Sequence, residues 1–190
     1  MGGPDVFLPD ATAFATRKLM LANHHGFEGL SPALGQPAPS MDDASSERRI
    51  DALIFRANAD LLGEADCGIF NLTPFRGVSA DAGTVFELGM MIGLGKPVFG
   101  YTNDPADLLS RTRKAVAVAH DPASGSWRDA DGMEVEDFGN ADNLMIDRAL
   151  AEQGRPIVRP AVAPQDPLRD LNGFEQCLRL AARAFAIPAA

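Results

Sequence analysis

Apolar residues recur along this chain with two alternating spacings. After Asp10, which suits an N-cap, the segment from Ala11 to Asn23 reads as a helix that breaks at Gly26. Residues 26–46 are rich in Gly, Pro and Ser and read as a long loop, a length that in a compact domain usually carries function or lacks fixed structure. Ser46 suits the cap of the next helix. Ile50, Leu53, Ile54, Ala57 and Leu61 fall at i, i+3, i+4, i+7 and i+11, one apolar face. After Gly63 the spacing changes, and Cys67–Leu72 is a short apolar strand. The loop TPFRGVSA leads to a helix from Ala82 to Leu94, stopped by Gly95, and Lys96-Pro97 turns the chain into the strand Val98–Tyr101. A strand, loop, helix and strand in this order build a parallel sheet.

The second half is less regular. Asp104-Pro105 is expected to start a short helix, and Ala115–Ala119 reads as a strand. Gly125, Gly132 and Gly139 punctuate a loop or hairpin around Trp127 and Met133–Phe138. Asn140 or Asp142 marks the start of a helix that ends by Gly154. A Pro-rich connection runs from Pro156 to Pro167. The last helix carries Leu171, Phe174, Leu178, Ala181 and Phe185 on one face, a stripe that reads as core packing. With no internal repeat and no compositional break, residues 1–190 read as one α/β domain.

Charge and composition narrow the chemistry. Seventeen basic against 26 acidic residues leave a net charge of −9. That argues against a nucleic-acid-binding surface, which needs clustered Lys and Arg. No apolar run approaches the roughly 20 residues of a membrane span, and Asp5 and Asp10 interrupt any signal-peptide pattern. Cys67 and Cys177 form neither a disulfide framework nor a CxxC site, so a cytoplasmic setting is the simpler expectation. His24, His25 and His120 lack metal-ligand spacing, which disfavours a catalytic zinc and a Ser-His-Asp device. The run GMMIGLGK at 89–96 is not a phosphate loop. Met90 stands where its first glycine belongs and Pro97 follows the lysine, and these glycines close a helix instead of opening one.

The chemistry falls to carboxylates. Glu87 sits in a helix otherwise made of Val85, Phe86, Leu88, Met90, Met91, Ile92 and Leu94. Such a carboxylate must be desolvated, which raises its pKa, or must reach a cleft. Gly83, four residues earlier, leaves open space on the same helical face for a ligand. Pairing with a buried arginine or a free backbone amide is the structural alternative for Glu87. Asp81, just before the helix, suits an N-cap as well as a catalytic role. Asp66 precedes the strand Cys67–Leu72 and suits a turn or cap there. Sites in parallel units gather at the carboxyl ends of strands, which Asp81 and Glu87 reach more surely than Asp66. Paired carboxylates suit glycosyl transfer, where one attacks the anomeric carbon and another handles a proton.

The segments GPDVF, ADCGIFNLTPFRGVSADAGTVFELGMMIGLGKPVFGYTND and MEVEDFGNADNLMI resemble those of nucleoside 2-deoxyribosyltransferases. The resemblance spans most of residues 2–150. It implies a flavodoxin-like three-layer α/β fold with a mainly parallel central sheet and a role in nucleotide salvage. It also implies an enzyme that exchanges the base of 2′-deoxynucleosides for free nucleobases without a metal or other cofactor. By the same resemblance Glu87 in the ELG element is the nucleophile. Asp81 helps to bind the sugar hydroxyls and to orient that nucleophile, and Asp66 assists proton transfer to the leaving base. Asn143 and Met145 in the NLM element would enter the site of a neighbouring subunit, which implies a homo-oligomer. From local sequence alone Asn143 is a first-turn helix residue and Met145 ordinary core.

Two departures from the family pattern stand out. The chain begins Met1-Gly2-Gly3-Pro4, so the family's preceding strand and its active-site tyrosine are expected either to be missing or to lie upstream. The loop 26–46 has no assigned role. In PFRG, Phe75 and Arg76 suit covering the base, with phosphate binding or simple solvation as alternatives for Arg76. Other readings are an N-glycoside hydrolase of deoxynucleosides or their monophosphates, and a non-catalytic nucleoside sensor.

Overall fold

The computed structural model describes residues 1–34 and 47–187. The proposed Ser46 cap and most of the long loop lie outside them. The sheet forms around two short strands, β1 (Gly68–Asn71) and β2 (Val98–Tyr101), paired in parallel with Ile69 opposite Phe99 and Asn71 opposite Tyr101. Single parallel bridges extend it at both edges, Gly2 with Phe70 and Tyr101 with Val158. Where the resemblance leads one to expect a whole strand ahead of the Gly-Pro element, the chain thus supplies one paired residue. Its lone tyrosine, Tyr101, is fully buried in the core.

Alternation along the strands divides the core in two. Ile69, Phe99 and Tyr101 pack with Ala22 of helix α1 (Ala11–His24) and with Phe174, Cys177, Leu178 and Ala181 of helix α6 (Asn172–Ala184). Phe70, Leu72 and Val98 point the other way, against Leu88 and Met91 of helix α3 (Ala82–Gly93) and Ile146 and Leu150 of helix α5 (Leu144–Glu152). Side chains of a strand leave its two faces in turn, so helices on both faces follow from β1 and β2 being apolar at successive positions. Gly173 lets α6 approach the sheet, because a Cβ there would fall 2.7 Å from the Tyr101 ring. Burial of the Cys177 thiol pushes its pKa up to about 12, so it serves as a small core hydrophobe.

Several local expectations shift. Asp10 precedes α1 but does not cap it, because its carboxylate is held by Arg169 at 2.7 Å. Helix α4 runs Leu108–Ala115 and is capped by Asp107, not started at Asp104-Pro105. The following strand therefore begins later, as β3 (Val118–Asp121). With β4 (Ser126–Asp129) and β5 (Glu134–Val135) it forms an antiparallel meander that realises the predicted hairpin. Helix α5 is capped by Asn143, whose side chain accepts from the Met145 amide, and not by Asn140 or Asp142. In the α6 stripe Phe174, Leu178 and Ala181 are buried, Leu171 is half-buried, and Phe185 at the end is exposed.

Helix α2 (Glu47–Glu64) departs most from its pattern. It packs on α3, yet Leu53 and Ile54 of its apolar face are 52% and 43% exposed, as is the adjacent Phe55. Its C-terminal carbonyls are tied down by Lys96, whose ammonium donates to the oxygens of Leu62, Gly63 and Ala65. A cation on the last turn satisfies carbonyls that the helix leaves open. Among the described residues no helix is long and apolar enough to cross a membrane.

Candidate active site

The site assembles at the edge of the sheet where Gly2 lies beside β1. The Gly2 amide donates to the Ile69 oxygen, and its carbonyl accepts from Asn71. A Cβ on Gly2 would fall 2.8 Å from Glu87 Oε2 and 2.8 Å from the Phe70 ring. The Glu87 carboxylate of α3 therefore rests directly against the Gly2 backbone. From the other side, Asn58 of α2 donates its Nδ2 to Glu87 Oε1 at 3.5 Å, while its own Oδ1 is buried without a partner among the described residues. Desolvation holds the Glu87 carboxyl above its usual range; the Met1 ammonium opposes this and Asp81 adds to it. No arginine holds Glu87 among the described residues. The half-buried carboxylate has raised basicity and faces an amide group, an environment that suits a nucleophile.

Asp81 caps α3. Its Oδ2 accepts from the Thr84 amide at 2.9 Å and the Thr84 hydroxyl at 3.0 Å. Both roles weighed for it from the sequence are compatible, since the cap occupies only one carboxylate oxygen. A Cβ on Gly83 would meet Asp81 Oδ2 at 3.2 Å and nothing else within 4 Å.

Above this end of β1 the loop brings aromatic groups together. Phe75 stacks on Phe7 with ring centroids 5.3 Å apart, and the Arg76 guanidinium lies 4.6 Å from the Phe75 centroid and 5.1 Å from that of Phe7. Arg76 itself takes a positive φ of 56°, a conformation that a non-glycine residue adopts at a cost of about 1 kcal/mol or more. The turn that carries Phe7 is anchored by a buried ion pair, Lys18 Nζ to Asp5 Oδ2 at 3.0 Å, with Asn71 donating to the other Asp5 oxygen.

The remaining candidates sit apart. Asn143 donates to Glu136 Oε1 while capping α5, and Glu136 also accepts from the Leu144 amide at 2.8 Å. Met145 is 71% exposed and so is not core in this chain. Asp66 is exposed just before the amino end of β1. It opens onto a cavity of about 590 Å³ lined by Met1, Phe27, Cys67, Ile69 and Leu178, on the α1/α6 side of the sheet. Glu87 lies on the α3 side, and Asp66 shares no hydrogen bond with it or with Asp81. Sequence reasoning missed Asn58, Gly2 and Phe7. A polar residue one step after Ala57 on an amphipathic helix was the only available signal for Asn58.

Comparisons with known proteins bear on the family and the fold. A family model described as nucleoside 2-deoxyribosyltransferase matches residues 1–145, a span that holds every candidate residue above. An uncharacterised protein of Schizosaccharomyces pombe is 30% identical over 164 residues, covering 81% of this chain and 77% of its own. A solved structure of a 2-desoxiribosyltransferase from Leishmania mexicana shares the α/β fold, with a TM-score of 0.56 and 27% identity over 76% of this chain and 81% of that one.

Proposed function

The chain belongs to the nucleoside 2-deoxyribosyltransferase family, and from that premise we propose that it exchanges the base of 2′-deoxynucleosides through an ester on Glu87. A carboxylate oxygen of Glu87 attacks C1′. The C1′–N bond breaks, its electron pair leaves with the base, and the base takes up a proton from water. A second base then attacks C1′ through nitrogen, frees Glu87 and loses a proton. Two displacements retain the anomeric configuration. The chemistry is redox-neutral and the nucleophile comes from the chain, so the scheme calls for no cofactor. The observation that carries this reading is Glu87 itself: raised in basicity, oriented by Asn58 and backed by Gly2, with Asp81 at the start of its helix.

Asp81 has one oxygen outside its cap for a sugar hydroxyl. The Phe7–Phe75 stack under Arg76 offers a flat apolar edge for a base. Asp66, on the other face of the sheet, takes no part in this scheme. Asn143 and Met145 complete the site of a second copy, a role supported by exposed apolar groups in two places. Leu53, Ile54 and Phe55 of α2 and Phe86 of α3 are uncovered on the helices that carry Asn58 and Glu87, and Met133, Phe138 and Met145 are uncovered in the segments before and after Asn143. Such patches mark contact surfaces.

Incubation with deoxyinosine, with and without adenine, tests the proposal. Deoxyadenosine is the expected product. Free hypoxanthine without transfer would instead mean hydrolysis, and binding without turnover would mean a sensor. In mixed oligomers, Glu87→Ala and Asn143→Ala chains should restore activity to each other.

A further inference from the structure

A buried ion pair outside the reacting groups joins two parts of the site. Asp142 is 1% exposed and its carboxylate accepts from both. Oδ1 takes the Ser79 hydroxyl and the Asn143 amide, the latter at 2.8 Å, and Oδ2 takes the Ala80 amide at 2.8 Å. Arg111 of α4, 6% exposed, stands 3.7 Å from Asp142 Oδ2. Its guanidinium donates to the carbonyls of Val78 at 2.7 Å, Ala106 at 2.6 Å and Ala141 at 2.5 Å. Val78, Ser79 and Ala80, the three residues before Asp81, are thus each gripped by the pair, and so are Ala141 and Asn143. A desolvated carboxylate with three neutral donors and one cation cannot release one segment without leaving charge unpaired. The loop that ends in Asp81 and the turn that presents Asn143 therefore move together.

We propose that Arg111 and Asp142 are positioning residues that couple two sites, seating Asp81 in their own chain's site and Asn143 for the neighbour's. This rests on the shared-site reading above. Asp142→Asn keeps the size and one acceptor but turns an N–H group toward the Ala80 amide. It should lower kcat/KM by about a hundredfold, mostly in kcat, because both elements are displaced by a fraction of an ångström. Mixing it with excess Glu87→Ala chains creates sites in which Glu87 and Asp81 come from the Asp142→Asn chain and Asn143 from an intact one. Those sites should regain about tenfold of the loss. Full recovery would show that the pair serves Asn143 alone, and no recovery that it serves Asp81 alone; either result overturns the coupling.

The Glu87→Ala and Asn143→Ala mixture is the control. Failure there, with subunit exchange verified, refutes the shared site, whereas success there with an all-or-none Asp142→Asn result refutes only the coupling. Ser79→Ala, which deletes a single hydroxyl, covers the case of an Asp142→Asn chain that does not fold. It should shift the amide resonances of both Asn143 and Thr84 in nitrogen-15 spectra, the second because Thr84 donates to Asp81. This readout needs no turnover, and a shift on one side alone overturns the proposal.

Discussion

Replacing Gly2 by alanine probes the seat of Glu87 directly. The new methyl carbon would lie 2.8 Å from Glu87 Oε2, 2.8 Å from Phe70 Cδ1 and 2.9 Å from Phe70 Cε1. Non-bonded carbons rest at about 3.5–4.0 Å, so roughly 0.7 Å must be found. Phe70 cannot yield, being 1% exposed and packed in one cluster with Leu72, Leu88 and Met91. The Gly2 backbone must therefore shift off the ring, and Glu87, the less buried of the two neighbours, moves with it. A displacement of roughly half an ångström to one ångström at a reacting atom costs about ten- to hundredfold in kcat, or about 1.4–2.8 kcal/mol in the barrier. Overpacking destabilises by about 1–3 kcal/mol, and each kcal/mol lowers Tm by about 2–4 °C in a chain of this length. The assay is deoxyadenosine formation from deoxyinosine at saturating adenine, beside a thermal melt followed by circular dichroism. Gly89→Ala on the same helix, with nothing within 4 Å of its added carbon, is the matched control and should leave kcat unchanged. A folded Gly2→Ala enzyme with kcat within about twofold of wild type would refute the argument.

Other expectations follow from the same geometry. Because desolvation raises the Glu87 pKa, kcat/KM should climb with pH through an inflection above 4.5, and an inflection at or below 4.5 would contradict the burial. Linkage gives stability the opposite sign. Glu87 favours folding fully below its unfolded pKa, and that contribution is lost as pH rises through the higher folded value. Glu87→Gln should therefore be inactive yet melt higher than wild type at neutral pH, with the gap closing below 4.5. Asn58→Ala should lower kcat about tenfold with little change in KM, since the long 3.5 Å contact sits at the weak end for a charge-assisted bond. Asp66→Asn should keep activity within about threefold of wild type, and a hundredfold loss would bring Asp66 back into the site. Lys18→Met leaves Asp5 charged and buried, so urea unfolding should report a loss of about 3–5 kcal/mol.

Much of the centre was legible because it is local. The β1, α3 and β2 unit announces itself through apolar runs, the Asp81 cap and Gly95, which takes a φ of 71° just past the helix. Glu87 stood out because a carboxylate among apolar neighbours has few physical explanations. Other groups depend on how elements dock. Asn58 means little until α2 lies on α3, and Gly2 is an ordinary glycine until the sheet edge forms beside it. The grip of Arg111 on Val78, Ala106 and Ala141 joins segments that no periodicity relates. Asp10 and Asn143 show the same limit at helix ends, where several side chains satisfy the cap rule and a distant partner such as Arg169 decides among them. Asp66 was one residue from a strand whose facing the sequence left open.

On the shared-site proposal, the uncovered face of α2 would tie activity to dilution. Phe55 and Phe86, with ring centroids 6.3 Å apart, stand one turn or less from Asn58 and Glu87 on their helices. Were a second copy to cover them, association free energy would add to folding free energy by mass action. The melting point would then rise with protein concentration, and specific activity per chain would fall on dilution below the dissociation constant. A rate measured at trace enzyme and one measured at cellular abundance would describe two different assemblies.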